Sequence, residues 1–191
     1  MDDIETTRLI LRRLEPTAIA AGLSGDLTAL EESLGAKVPI DLIHDPAALA
    51  YAQEALAADA AYLPWSVRAI ILRSSREMAG HVRFHSQPDP DYLRPYAPEA
   101  VEFGYVVFAA HRRQRYAHEA LTGVMQWACQ VHGVERFVAS ISPTNIPSLE
   151  LVAKLGFHKV GEAVDPDDGV EHVYLRDAKA GWACECTLIP P

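Results

Sequence analysis

Between Val101 and Ala120 (VEFGYVVFAAHRRQRYAHEA) the chain changes hydrophobic period part-way and gathers its cations at the change, and no other stretch restricts the fold as much. Before the change, Val101, Phe103, Tyr105 and Val107 alternate with Glu102, Gly104, Val106 and Phe108, the period of two expected of a strand buried on at least one face. After it, Ala117, Ala120, Leu121, Val124, Ala128 and Val131 recur every three or four residues, which predicts a helix from about Tyr116 to His132 with one stripe facing a core. Arg112, Arg113 and Arg115 lie between the two. A strand feeding a helix through a short cationic turn brings unpaired N–H groups, the positive end of the helix dipole and guanidinium groups to one point. Such a point suits a phosphate or diphosphate. The backbone N–H groups from Gln114 through Tyr116 to Ala117 supply most of the cradle whichever side chains engage.

The rest of the composition narrows the class. A chain of 191 residues is enough for one domain, which buries roughly 70% of its unfolded surface. A net charge of −9 and a pI near 5.3 argue against nucleic acid as a partner, because that binding rests on many neutralised phosphates. An acidic body favours a cationic ligand such as an amine. Three cysteines, two of them Cys184 and Cys186, form neither a disulfide framework nor a zinc spacing, so no metal is expected. The N-terminus lacks a charged-then-apolar leader pattern, and no apolar run approaches the roughly 20 residues of a membrane span. The expectation is a cytoplasmic protein with no membrane partner.

In chain order, Thr7 to Leu14 reads as a first strand, and Thr17 to Leu34 carries helical signals with Ser24 or Asp26 as an N-cap candidate. Residues 36–45 read as an irregular bridge and Pro46 to Asp59 as an Ala-rich helix. Trp65 to Arg73 and Met78 to His85 read as a hairpin, followed by a loop with four prolines from Ser86 to Glu99. Glu135 to Ile141 is a further strand. Next, Asn145 can cap a helix that tolerates Pro147 in its first turn, buries Leu149, Val152 and Leu155, and closes at Gly156. Phe157 to Glu162 and Val170 to Arg176 are the last two strands.

Two motifs in this order resemble the GNAT superfamily of acyl-CoA N-acyltransferases. The first is a strand running into Arg112-Arg113-Gln114-Arg115-Tyr116-Ala117, similar to the Arg/Gln-x-x-Gly-x-Gly/Ala coenzyme turn. The second is Asn145-x-x-Ser148 followed by Lys154-Leu155-Gly156-Phe157. The opening strand is similar to that of the Rim-type branch, the ribosomal-protein N-terminal acetyltransferases. One departure stands out: Arg115 occupies the usual Gly position. Either the turn needs Gly there for close approach and a Cβ crowds the diphosphate, or the backbone is helical and tolerates any L-residue. The resemblance implies a single α/β domain over residues 1–177, with a mixed, mostly antiparallel central sheet of six to seven strands flanked by about four helices. Residues 178–191 are left as a tail, read as an extra edge strand or a homodimer contact.

The resemblance also implies acetyl-CoA as acyl donor and an amine acceptor, either a protein or peptide N-terminus or a small molecule. It places coenzyme contacts on Val106, Val107, Phe108, Arg112, Arg113, Gln114, Arg115, Tyr116, Ala117, Asn145 and Ser148. Transfer from a thioester needs a neutral nitrogen, a held carbonyl and a proton for the departing thiolate. Neutralising a lysine amine at pH 7 costs roughly 4.6 kcal/mol, whereas an α-amine costs about 1.1 kcal/mol, so an α-amine needs only a modest base. Glu102 is the candidate base, acting directly or through water; its structural alternative is an edge carboxylate paired with an arginine. Many relatives carry a Tyr as thiolate donor where this chain has Val152, and Ser148 is the remaining hydroxyl. Ser148 can instead satisfy its own backbone. For the acceptor, the resemblance points to residues 36–45, with His44 and Asp45, and to Glu162 to Glu171, with Asp165, Asp167 and Asp168. Tyr62 and Trp65 are either walls of that site or core. A non-catalytic acyl-CoA-binding module remains the reading from a different class.

Overall fold

The computed structural model describes residues 3–166 and 169–178. These divide into two compact units, 3–87 with 102–124, and 88–101 with the described residues from 125 onward.

The first unit is built on five strands, β1 (Ile4–Glu5), β2 (Leu9–Arg13), β3 (Arg68–Leu72), β4 (Met78–Phe84) and β5 (Ala100–Val107), each antiparallel to its neighbour in that order. Their registers put Leu9 opposite Leu72, Arg68 opposite Val82, and Arg83 opposite Gly104. Between β2 and β3 lie α1 (Pro16–Ser24), α2 (Leu27–Leu34), α3 (Asp41–His44) and α4 (Ala47–Ala58). The helical stretch expected from Thr17 to Leu34 is two helices. Gly25 takes a left-handed φ of 77° and ends the first, and the Asp26 carboxylate accepts from the Ala29 N–H at 3.0 Å to begin the second. The supposedly irregular bridge contains α3, a single turn. Ile10, Leu14, Ile19, Leu30, Leu49, Ile71 and Met78 form one buried cluster under these helices. Burial of this kind supplies about 25 cal/mol per Å2 of apolar surface removed from water, the main force holding α1, α2 and α4 in place.

After β5, α5 (Tyr116–His132) follows the expected bounds. Ala120, Leu121, Val124 and Ala128 are buried as the stripe requires, but Val131 is 63% exposed because it lies in the last turn, past the buried run. The second unit holds β6 (Arg136–Ile141), α6 (Ile146–Lys154), β7 (His158–Asp165) and β8 (Gly169–Asp177), with β8 antiparallel to both β6 and β7. Its core joins Leu93, Ala97, Ala100, Val138 and Val173, with Tyr96 packed against it. The Tyr96 hydroxyl donates to the Glu162 carbonyl at 2.7 Å, and its ring occupies the space a Cβ on Gly161 would need.

The α/β class with a mostly antiparallel sheet is as expected. The counts differ: eight strands and six α-helices stand among the described residues, because β1 and α3 are too short for periodicity to reveal and 16–34 is broken at a glycine. The tail expectation covers residues 178–191, of which only Ala178 is among the described residues.

Candidate active site

In the first unit, the turn from β5 into α5 is shaped by backbone conformation. Ala109–His111 is a short 3-10 turn, Arg112 is extended, and Arg113 and Arg115 take φ values of 61° and 64°. Arg115 is therefore left-handed, not helical, and the position favours glycine for its φ. An L-residue in that region pays about 1–2 kcal/mol. Left-handed residues in such a turn aim successive N–H groups into one concavity, the arrangement that cradles anions. Among the described residues, the N–H groups from Arg113 to His118 donate to no protein acceptor, and the first one engaged is Glu119, bonded to the Arg115 carbonyl at 3.1 Å. Arg113, Gln114 and Arg115 are exposed, Tyr116 and Ala117 half-buried. The Arg112 Nε donates back to the Val107 carbonyl at 3.0 Å and ties the turn to its own strand.

A clasp absent from any sequence pattern holds this turn. The Glu119 carboxylate accepts from the Thr6 hydroxyl, the Arg8 backbone N–H and the Arg8 Nε, each at 2.7 Å. The Arg8 guanidinium also donates to the Gln114 carbonyl at 3.1 Å and lies 4.7 Å from the centroid of the Tyr116 ring. Burial alone would raise the Glu119 pKa; the Thr6 and Arg8 hydrogen bonds outweigh it and hold the carboxyl below its usual range. The partners lie more than a hundred residues away in the chain, so no local spacing announces them.

Phe108 is engaged on every side: its ring is buried in the core, its N–H donates to the Ala79 carbonyl and its carbonyl accepts from His111, both at 2.9 Å. It anchors the strand end and has no amide left for a coenzyme. Val106 and Val107 are half-buried, opposite His81 and Gly80.

Glu102 is no edge carboxylate. It is 4% exposed, and its Oε2 lies 3.4 Å from the Nδ1 of His85. The His85 N–H donates to the Glu102 carbonyl at 2.8 Å, so backbone and side chain both couple the two residues. Gly104 makes this possible, since a Cβ there would fall 2.7 Å from the His85 Nε2. The Tyr51 hydroxyl donates to the His85 carbonyl, and the Arg83 guanidinium lies 4.0 Å from the Tyr51 ring centroid. Alternation puts His81, Arg83 and His85 on one face of β4 and its continuation. Burial lowers the His81 pKa to about 4, so this imidazole is neutral at pH 7. Tyr62 and Trp65 are core: Tyr62 donates to the Phe84 carbonyl at 2.6 Å with its pKa pushed up to about 12 by burial, and Trp65 packs edge-on against Phe84. His44 and Asp45 are exposed at the end of α3.

In the second unit, Asn145 caps α6 as expected. Its Oδ1 accepts from the Ser148 N–H at 3.3 Å, and its carbonyl accepts from Ser148 and Leu149 at 3.1 Å. Ser148 is half-buried. Val152 is fully buried, so the residue standing where many relatives carry Tyr packs the core. Asp165 is half-buried at the end of β7; Asp167 and Asp168 lie outside the described residues.

A family model described as an acetyltransferase (GNAT) domain matches residues 8–158. The uncharacterized N-acetyltransferase YjdG of Bacillus subtilis (strain 168) is 26% identical over 164 residues, 83% of this chain and 93% of that protein. Among solved structures, the ribosomal-protein-S5-alanine acetyltransferase from Vibrio fischeri superposes with a TM-score of 0.64 at 15% identity, covering 94% of this chain and 98% of the other. RimJ of Mycobacterium smegmatis, solved with CoA-disulfide, gives 0.61 at 18% identity over 93% and 88%. These structures share the fold, and the family model spans most of the chain, strand, cationic turn and Asn-capped helix included. The protein belongs to the GNAT acetyltransferase family, whose members draw their acyl group from acetyl-CoA.

Proposed function

We propose that this protein is an acetyl-CoA-dependent N-acetyltransferase of a primary amine, a protein or peptide N-terminal α-amine, acting by direct attack in a ternary complex. The observation that carries the reading is the open start of α5: a run of amides from Arg113 to His118 with no protein acceptor among the described residues, at the positive end of a 17-residue helix. A diphosphate satisfies those donors. Arg113, Gln114, Arg115, Tyr116 and Ala117 hold it through their backbones, Arg112 keeps the turn on the strand, and Val106 and Val107 border the acyl arm. For Asn145 and Ser148, in the second unit, the family resemblance implies contact with the pantetheine and the departing sulfur. The Rim-type proteins among the similar structures favour a peptide α-amine, which is also the acceptor whose deprotonation asks least of the base.

In the reaction the amine nitrogen attacks the thioester carbonyl, a C–N bond forms, and the C–S bond breaks. The amine proton passes to His85, oriented and charge-stabilised by the buried Glu102, and the thiolate leaves and takes its proton from solvent; Ser148 is the hydroxyl that the family resemblance assigns to that sulfur. Thiol release from acetyl-CoA across a panel of peptides and small amines tests the reading. Glu102→Gln, His85→Gln and Ser148→Ala lower kcat, the first two by roughly a hundred to ten-thousandfold, as expected of a positioned base. Small-molecule amines used in preference to peptides would move the acceptor class. Tight acetyl-CoA binding without turnover for any amine would overturn the transferase reading in favour of a binding module.

A further inference from the structure

Resting on that reading, we propose that the acceptor carries a carboxylate near its amine and that Arg83 receives it. Arg8, Arg12, Arg13, Arg73, Arg94 and Arg136 each pair with a carboxylate of the protein. Arg83 does not. It is half-buried on β4, its Nη1 is buried without a hydrogen-bond partner, and among the described residues no carboxylate lies within ion-pair distance of it. The contacts around it are neutral: the Tyr51 ring on one side and the Tyr62 hydroxyl close by. Glu102, the nearest candidate counter-ion on the facing strand, is engaged with His85. A guanidinium withdrawn from water with no anion is costly to hold, and a site that keeps one is complementary to an anion supplied from outside.

The neighbours agree. His81, one strand repeat away on the same face, is buried, and its Nδ1 also has no partner. Opposite Arg83 stands Gly104, which presents no side chain of its own, and the space over it is taken by the His85 imidazole, which brings the base and the guanidinium to the same face. His85 lies two residues further along the same face, and such residues are separated by about 7 Å. That separation admits an amine at His85 and a carboxylate at Arg83 joined by a short spacer. Both an amino-acid-like small molecule and an N-terminal acidic residue of a peptide meet it.

Matched acceptor pairs test the proposal: β-alanine against β-alaninamide, and an Asp-Ala-Ala amide peptide against its Asn counterpart, with wild type, Arg83→Lys and Arg83→Met. Wild type is expected to favour the carboxylated member of a pair by about tenfold to a hundredfold in kcat/KM, mainly through KM. Arg83→Met brings that ratio near one, and Arg83→Lys keeps part of it. Selectivity within the first pair identifies a small-molecule acceptor, and within the second a peptide. Calorimetric titration of the same compounds into the CoA-bound protein gives a readout independent of turnover, in which β-alanine or the Asp peptide binds wild type more tightly than Arg83→Met. Equal handling of both members of each pair by wild type, or a preference that survives in folded Arg83→Met, overturns the proposal and leaves the transferase reading standing. Absence of thiol release with carboxylate binding intact overturns the transferase reading alone.

Discussion

Helices α5 and α6 both begin just after a strand, yet their first turns are finished in opposite ways. At α6 the Ile146 N–H is bonded to Thr144, Pro147 has no N–H to offer, and the Ser148 and Leu149 N–H groups are taken by Asn145. At α5 the first three N–H groups, Tyr116 to His118, have no protein acceptor among the described residues, and neighbouring residues sit in left-handed conformations that aim further amides the same way. One start is closed by its own sequence, and the other is left open. A cap that satisfied α5 would stabilise the apoprotein and remove the binding site with the same hydrogen bonds.

The sharpest way to break this contrast is to give α5 the start that α6 has. Ala117→Pro places proline at the second helical position, where α6 carries Pro147, and deletes one amide while leaving the helix intact. CoA affinity is expected to fall about tenfold to a hundredfold by calorimetry with the circular dichroism spectrum unchanged, the loss of one hydrogen bond to a charged group. Unchanged affinity would mean that the open start is not what grips the coenzyme.

Glu119→Gln loosens the clasp behind the turn, with an expected loss of about 1–3 kcal/mol in urea unfolding and weaker CoA binding. The effect has a pH signature. The folded-state pKa of Glu119 lies below the usual value of 4.5, so its contribution is fully present above that value and disappears as pH falls through the folded pKa. Wild type and Glu119→Gln should differ in stability at pH 7 and converge in acid.

Asn145→Ala removes the cap that closes α6 and should cost about 1 kcal/mol of stability, with a range of 0.5–2. A larger loss in CoA affinity than in stability would show that the Asn145 amide meets the coenzyme as well as its own helix. The smallest change is Arg115→Gly. Relief of the left-handed strain should stabilise the protein by about 1 kcal/mol, raising Tm by roughly 2–4 °C for a chain of this size, with CoA binding retained. A marked loss of affinity would instead assign the Arg115 guanidinium a direct contact with phosphate.

Much of the candidate site is legible in the residues because its signals are local. The change from alternation to a three-to-four period fixes where β5 ends and α5 begins, and Asn145 followed three residues later by Ser148 gives the capped start of α6. Other features are silent for a physical reason. The Glu119 clasp closes onto Thr6 and Arg8, partners 113 and 111 residues away. Val131 carries the right period and is exposed, because periodicity reports a face and not how far along the helix that face stays covered. The φ of Arg115 is imposed by the path of the turn against the local preference of arginine, so the residue itself points toward the wrong conformation.

What the sequence by itself determined is the strand-turn-helix, the cationic turn, the second helix with its cap, and through them the family. Tertiary structure alone decided that Glu102 meets His85, that Phe108 is sealed into the core, and that Arg83 faces no carboxylate among the described residues. Those outcomes depend on the antiparallel register of β4 against β5, which sets Arg83 opposite Gly104. A shift of one residue would turn every one of these side chains to the other face, and period-two alternation within each strand cannot specify which residue of its neighbour it meets.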